Sequence, residues 1–127
     1  MQAAPIPVPE TSLAAIPPET LDAMDGPALD ALPFGVIGLD AAGMVGLYSA
    51  VEARYAGLTP GSVLGRHFFT AVAPCMNNAL VAGRLEAEAA LDVTIDYVLT
   101  FRMRPTRVSV RMIKRPASPR SYILIQR

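Results

Sequence analysis

The sequence predicts an α+β domain in which short helices cover a five-stranded antiparallel sheet. Every second residue from 93 to 103 is apolar, which is the period of a half-buried strand. Residues 33–40 and 44–50 are two apolar stretches joined by the turn sequence AAG, and they predict a hairpin. Short stretches of helix-forming residues lie between these two regions. We therefore expect one helical layer to cover one face of the sheet.

The remaining elements follow from local signals. Residues 19–32 can form short helical turns that are broken by glycine and proline, and Ser49 is a plausible N-cap for the next helix. Another short helix can begin at Thr59 and Pro60. Residues 76–90 are good helix formers and predict a longer helix. Residues 106–113 repeat the alternation of the first long strand, and residues 122–127 form a last strand after a turn.

Proline and charge set the N-terminal region apart. Seven of the twelve prolines lie in the first 33 residues, so we expect residues 1–20 to be a flexible arm and residues 21–127 to be the domain. Residues 1–40 carry six acids and no base, whereas residues 101–127 carry eight bases and no acid. The bases could line a solvated sheet edge, or the acidic segment could fold back onto them. Phe101 and Tyr122 are too few aromatic residues for a nucleic-acid surface, so no such partner is expected.

Composition narrows the class of protein. With 127 residues, 52% of them hydrophobic and 17% charged, the chain can form one globular core. No apolar run approaches the roughly 20 residues of a membrane span, and the N-terminus lacks the features of a secretion signal. The single cysteine excludes an internal disulfide and fits a reducing compartment. We therefore expect a cytoplasmic protein without a membrane partner.

Cys75 and His67 are the only residues of their types, and they limit the possible chemistry. A metal site is not indicated, because no carboxylate pair stands at ligand spacing. His67 as a haem ligand and a nucleophilic Cys75–His67 pair both stay open, but neither has a supporting motif. No phosphate-binding glycine pattern is present. From the residues alone, Cys75 is either a small core residue or a covalent anchor, and enzymatic activity is not expected.

The order of elements resembles a PAS sensor domain with an N-terminal cap. Within that class the chain is similar to the photoactive yellow protein family from about Leu21 to Arg127. Four segments carry the resemblance: LDAMDG at 21–26, LDALPFGVIGLDAAGMVGLYSAVE at 29–52, VLGRHFFTAVAPC at 63–75 and IDYVLTFRMRPTRVSVRMIK at 95–114. The combination of FF…VAPC with a tyrosine and a glutamate four residues apart is the most specific part.

The resemblance implies a blue-light photoreceptor that is not an enzyme. Cys75 would carry a 4-hydroxycinnamoyl (p-coumaric acid) group through a thioester, and its main-chain amide would bond the thioester carbonyl. Tyr48 and Glu52 would donate hydrogen bonds to the phenolate oxygen of that group. Seven further residues would surround the pocket or set the approach to the thiol: Phe68, Phe69, Ala73, Pro74, Tyr97, Leu99 and Met103.

The resemblance also implies a signalling mechanism. Light would isomerise the chromophore from trans to cis, and Glu52 would then give up its proton. A carboxylate buried without a partner would loosen the N-terminal layer and signal to an unknown downstream protein.

Four positions depart from the family pattern. Ala56 and Leu58 stand where the family has a threonine and a pocket-covering arginine, and Leu99 and Phe101 replace a phenylalanine and a tyrosine. A non-photoactive PAS module that binds another small ligand, such as haem, or a protein partner is therefore the alternative function.

Overall fold

The computed structural model describes residues 12–100 and 104–127. The elements, in chain order, are α1 (Pro18–Ala23), α2 (Gly26–Asp30), β1 (Gly35–Leu39), β2 (Val45–Tyr48), α3 (Ala50–Ala56), α4 (Pro60–Val63), a π-helical turn (Phe68–Val72), a 3-10 turn (Pro74–Met76), α5 (Ala82–Ala87), β3 (Leu91–Leu99), β4 (Thr106–Lys114) and β5 (Ser121–Gln126). The strand order is β2-β1-β5-β4-β3, and every neighbouring pair is antiparallel. The predicted five-stranded α+β fold is confirmed. Across the described ranges, no helix is long and apolar enough to cross a membrane.

Both faces of the sheet are covered. Successive strand residues point to opposite faces, so Ile123 and Ile125 of β5 join one core while Tyr122 and Leu124 join another. The first and larger core packs under α3, α4 and the segment 68–85, and the second packs under residues 13–34. The expectation of one covered face was wrong. Strands β1 and β5 are apolar at nearly every position, a pattern typical of strands that are buried on both sides.

Residues 12–20, the described part of the predicted arm, pack against the second face. Leu13 and Ile16 are 2% and 0% exposed. Their main-chain carbonyls accept hydrogen bonds from Nη1 of Arg111 on β4, whose guanidinium also pairs with both carboxylate oxygens of Asp92 at 2.8 Å. The boundary at residue 20 stays a prediction, and residues 1–11 lie outside the described residues.

One acid of the N-terminal region folds back onto the basic strands, as one of the two alternatives expected. Asp22 accepts a hydrogen bond from the Tyr122 hydroxyl at 2.7 Å and pairs with Arg115 at 2.9 Å. Burial alone would raise the pKa of Asp22, but the hydrogen bonds from Tyr122 and Arg115 lower it. Burial and the Asp22 carboxylate raise the pKa of Tyr122 to about 12. These contacts join α1 to the end of β4 and the start of β5.

The helix predicted over residues 76–90 is wrong in extent, because only Ala82–Ala87 are α-helical. The side-chain oxygen of Asn78 accepts hydrogen bonds from the backbone amides of Leu80 and Val81, and such local bonds compete with helix formation. Cys75 therefore lies on a short 3-10 turn instead of at the start of a long helix.

Candidate functional site

Tyr48 and Glu52 lie at the junction of β2 and α3. Ser49 caps this helix, as predicted, since its Oγ accepts a hydrogen bond from the Glu52 amide. The same Oγ accepts a second bond of 2.9 Å from the Val36 amide, which ties the start of the helix to β1. Tyr48 pairs with Ile37 in the sheet and belongs to the larger core. The local backbone thus brings the predicted tyrosine and glutamate to the same covered face.

Glu52 forms a buried ion pair with Arg127. The distances are 2.7 Å from Nη1 to Oε1 and 3.1 Å from Nη2 to Oε2, and the two side chains are 12% and 3% exposed for arginine and glutamate respectively. Arg127 was not among the residues predicted from the sequence. Strand parity could have found it, because it is separated from Ile125 by one residue and therefore points to the same covered face.

Burial is the main influence on the pKa values of Glu52 and Tyr48. It raises the pKa of Glu52, although the hydrogen bond and positive charge of Arg127 act in the opposite direction. Burial also raises the pKa of Tyr48, and the negative charge of Glu52 raises it further. The Tyr48 hydroxyl therefore stays protonated at neutral pH and is available as a donor. Within residues 12–100 and 104–127 it makes no hydrogen bond to another side chain.

Cys75 is half-buried on the 3-10 turn and packs against the larger core. Burial raises the pKa of its thiol, while backbone hydrogen bonds from Thr100 and from its own amide lower it in part. The thiol is therefore largely protonated near neutral pH, and its nucleophilic form is the minority thiolate.

Two side chains fix the main chain at this turn. The Tyr97 hydroxyl donates a hydrogen bond of 2.8 Å to the carbonyl of Cys75. Nδ2 of Asn78 lies 2.6 Å from the Tyr97 hydroxyl and 3.3 Å from the same carbonyl. Asn78 was missed in the sequence because residues 76–90 were assigned to one helix, in which it would have been an ordinary surface residue.

Most of the residues expected around the pocket do come together. The larger core contains Tyr48, Phe68, Phe69, Ala73 and Leu99 as buried members, with Cys75 and Tyr97 partly buried against it. The Phe68 and Phe69 rings meet edge to face at 5.1 Å. Pro74 is exposed and begins the turn that carries Cys75. Met103, like Phe101, lies outside the described residues.

Two of the four positions that depart from the family pattern, Ala56 and Leu58, carry apolar side chains that are wholly or partly buried in this structure. Leu58 is half-buried against the larger core, and Ala56 at the end of α3 is buried at 2% exposure. His67 lies at the start of the π-helical turn, and its ring centroid is 6.3 Å from that of Phe69. No group of three or more histidine, cysteine, aspartate or glutamate residues could hold a metal ion in the described part of the chain.

The assembled side chains suit a covalently held aromatic acyl group. A thiolate can form a thioester, and Cys75 is half-buried against the larger core, where it can carry such a group. The Tyr48 hydroxyl and a protonated Glu52 can both donate hydrogen bonds to an anionic oxygen. The phenylalanines and Leu99 provide apolar walls that exclude water and strengthen those bonds.

Comparisons with known proteins show which family the chain is similar to. The PAS fold family model matches residues 27–125. The photoactive yellow protein of Halochromatium salexigens is 38% identical over 102 residues, which are 78% of this chain and 82% of the relative. That of Rhodothalassium salexigens is 33% identical over the same shares. The crystal structure of the photoactive yellow protein domain from the sensor histidine kinase Ppr of Rhodospirillum centenum has a TM-score of 0.79 at 38% identity, covering 86% of this chain and 98% of that chain.

Proposed function

Because the chain belongs to the photoactive yellow protein family of PAS-fold photoreceptors, we propose that it senses blue light through a 4-hydroxycinnamoyl (p-coumaric acid) thioester on Cys75. The observation that carries the proposal is that Cys75 and Tyr48 share one apolar core, while Glu52 is buried at 2% exposure on α3, four residues after Tyr48. The role is sensory, and it requires no enzymatic turnover.

Each polar residue has a distinct task in this proposal. Tyr48 and protonated Glu52 donate hydrogen bonds that stabilise a phenolate, which would otherwise be costly to bury. The Cys75 amide donates to the thioester carbonyl. Tyr97 and Asn78 hold the main-chain carbonyl of Cys75 and so fix the turn that carries the anchor.

Apolar residues supply the pocket walls. Phe68, Phe69, Ala73 and Leu99 are buried members of the larger core and keep water from the donors. Pro74 limits the backbone before the anchor, and Met103 stays a predicted wall residue. When bound, the 4-hydroxycinnamoyl group supplies the visible absorption and the trans–cis isomerisation. Glu52 then supplies the proton that neutralises the phenolate.

The second face of the sheet is the proposed output. Residues 12–34 pack on this face through apolar side chains such as Leu13 and Ile16. Their polar contacts with the sheet are few and include those of Arg111 with main-chain carbonyls and of Asp22 with Tyr122. A change in charge at Glu52 would weaken this marginally stable layer and expose a surface for a downstream signalling protein. One relative is a domain of a sensor histidine kinase, which supports a signalling partner. Since the anchor must be a free thiol, we also infer a reducing, cytoplasmic location.

Covalent attachment is the first test. The purified chromophore-free protein is incubated with an activated ester of 4-hydroxycinnamate, in which the thiolate attacks the acyl carbon and expels the leaving group. Mass spectrometry should find one acyl group per chain, on the peptide that contains Cys75, and none on Cys75→Ala. A wild-type protein that takes up no acyl group although a small alkylating reagent reaches its thiol would favour the non-photoactive module.

Glu52→Gln tests the proton step. The amide still donates a hydrogen bond but has no proton to release, so the pigment should form, absorb further to the red and lose its large light-induced structural change. A light-induced change in circular dichroism equal to that of the wild type would rule out Glu52 as the trigger.

A further inference from the structure

We propose that Arg127 is a built-in counter-ion for Glu52, which receives the carboxylate once Glu52 has released its proton. The role in the light response rests on the proposed function. The pairing itself does not, because it joins two side chains of the chromophore-free chain. Arg127 acts through Glu52, so it is a positioning residue.

The ion pair between Arg127 and Glu52 is bidentate and is largely shielded from solvent. Nη1 of Arg127 donates to Oε1 of Glu52 at 2.7 Å and Nη2 donates to Oε2 at 3.1 Å, which is the strong and directional bidentate arrangement. The other ion pairs among the described residues each have a partner at least 40% exposed, whereas here the arginine and glutamate side chains are only 12% and 3% exposed. Removing one partner of such a pair leaves the other charge without compensation.

The backbone makes room for the carboxylate. A Cβ atom at Gly35 would lie 2.3 Å from Oε1 and 2.9 Å from Cβ of Glu52, so the side chain of Glu52 rests directly on β1. Gly35 pairs with Ile125 on β5. Arg127 is the first residue after β5, two positions beyond Ile125, and the end of this strand therefore brings its guanidinium to the carboxylate.

A second contact holds the guanidinium in place. Its central carbon lies 4.6 Å from the ring centroid of Tyr55, a distance at which the aromatic face attracts a cation. Tyr55 and Glu52 are three residues apart on α3 and so are neighbours on the helix surface. One turn of α3 thus provides both groups that bind Arg127.

This pairing changes the charge balance of the proposed light response. With an anionic oxygen bound and Glu52 neutral, Arg127 would supply a positive charge beside Glu52 to oppose it. After proton release the negative charge lies on Glu52, and the ion pair of the structure can form. The family resemblance implied a buried carboxylate without a partner, but here Arg127 is that partner. Arg127 therefore limits how far the protein loosens.

The pairing is tested on the chromophore-free protein. The side-chain carboxyl of Glu52 is titrated by NMR in the wild type, Arg127→Gln, Arg127→Lys and Arg104→Gln, the last being an exposed arginine whose loss removes the same charge. The expected midpoint rises by about one pH unit or more in Arg127→Gln, which corresponds to a tenfold change in acidity. Arg127→Lys should give a smaller rise, because an ammonium cannot bind both oxygens in a fork, and Arg104→Gln should give none.

An unchanged midpoint in Arg127→Gln and Arg127→Lys would overturn the proposal. If Arg127→Gln does not fold, the lysine variant decides between the two outcomes. In the pigmented protein, the light-induced loss of circular dichroism should be larger in Arg127→Gln than in the wild type. A shifted titration in a chain that never forms pigment would contradict the photoreceptor function and leave the ion pair intact. If the wild type forms pigment but the Glu52 midpoint does not shift in the Arg127 variants, the photoreceptor function stands and the ion-pair proposal is contradicted.

Discussion

The hydroxyl of Tyr97 on β3 donates a hydrogen bond of 2.8 Å to the main-chain carbonyl of Cys75, across 22 residues of sequence. This bond, with the contacts of Asn78, helps to join the sheet to the turn that carries the thiol. Its removal should therefore loosen the turn while leaving the apolar packing of the ring intact.

Tyr97→Phe should reduce the free energy of unfolding by about 1 kcal/mol, the usual net value of one hydrogen bond. The thiol should also react faster with a disulfide reagent, because the turn opens more often. Urea unfolding and thiol titration measure the two effects. Tyr55→Phe is the matched control, since the Tyr55 ring is 58% exposed. Equal thiol reactivity in Tyr97→Phe and the wild type would mean that the bond does not hold the turn.

The thiol should titrate above its ordinary range. Burial raises the pKa of Cys75 above 9.0, the ordinary value of the thiol, and a raised pKa means less thiolate at every pH below it. The rate of alkylation by iodoacetamide should therefore continue to increase with pH beyond 9.0. A rate that levels off below that pH would show that the thiol is activated instead of suppressed by its surroundings.

Gly35→Ala should disturb Glu52 directly. The added Cβ would lie 2.3 Å from Oε1, so either the carboxylate or β1 must move. Overpacking of this kind typically costs about 1–3 kcal/mol, and the contact with Arg127 should weaken as well. Urea unfolding measures the loss.

Gly46→Ala is the matched control for this change, because it lies on the neighbouring strand β2 and a Cβ there meets nothing within 4 Å. The account would be in error if the two variants were equally stable.

Arg111→Gln should release the N-terminal segment. The guanidinium holds the carbonyls of Leu13 and Ile16, and the loss of charged hydrogen bonds to buried groups costs about 2 kcal/mol. Limited proteolysis should then cut within residues 12–20 many times faster, while the sheet stays protected from hydrogen exchange. Arg107→Gln, an exposed change on the same strand, should not increase cleavage. Unchanged cleavage in Arg111→Gln would show that apolar contacts alone hold the segment.

The strands could be predicted because their signal is local. Alternation along residues 91–99 and 106–114 sets both the strand type and the buried side, and the structure has the same faces inward. The N-cap at Ser49 could also be predicted, because a capping signal is local in sequence. Coverage of the second face was missed, although the continuous apolar runs of β1 and β5 indicate it.

The contacts of the site were only partly predictable. The anchor and donor positions came from a family resemblance, not from periodicity. The ion pair between Glu52 and Arg127 joins residues 75 positions apart. Strand parity could place Arg127 on the covered face, but its pairing with Glu52 depends on the register of β1 with β5, which no local pattern encodes. Asn78 depends on a turn that good helix formers conceal.

The most direct test of the central claim is an absorbance spectrum of the wild type and Cys75→Ala after incubation with activated 4-hydroxycinnamate. The account predicts a visible band in the wild type that bleaches under blue light and recovers in darkness, and no such band in Cys75→Ala. A wild-type protein that stays colourless with a reactive thiol, or a Cys75→Ala variant that acquires the same covalent pigment, would contradict it.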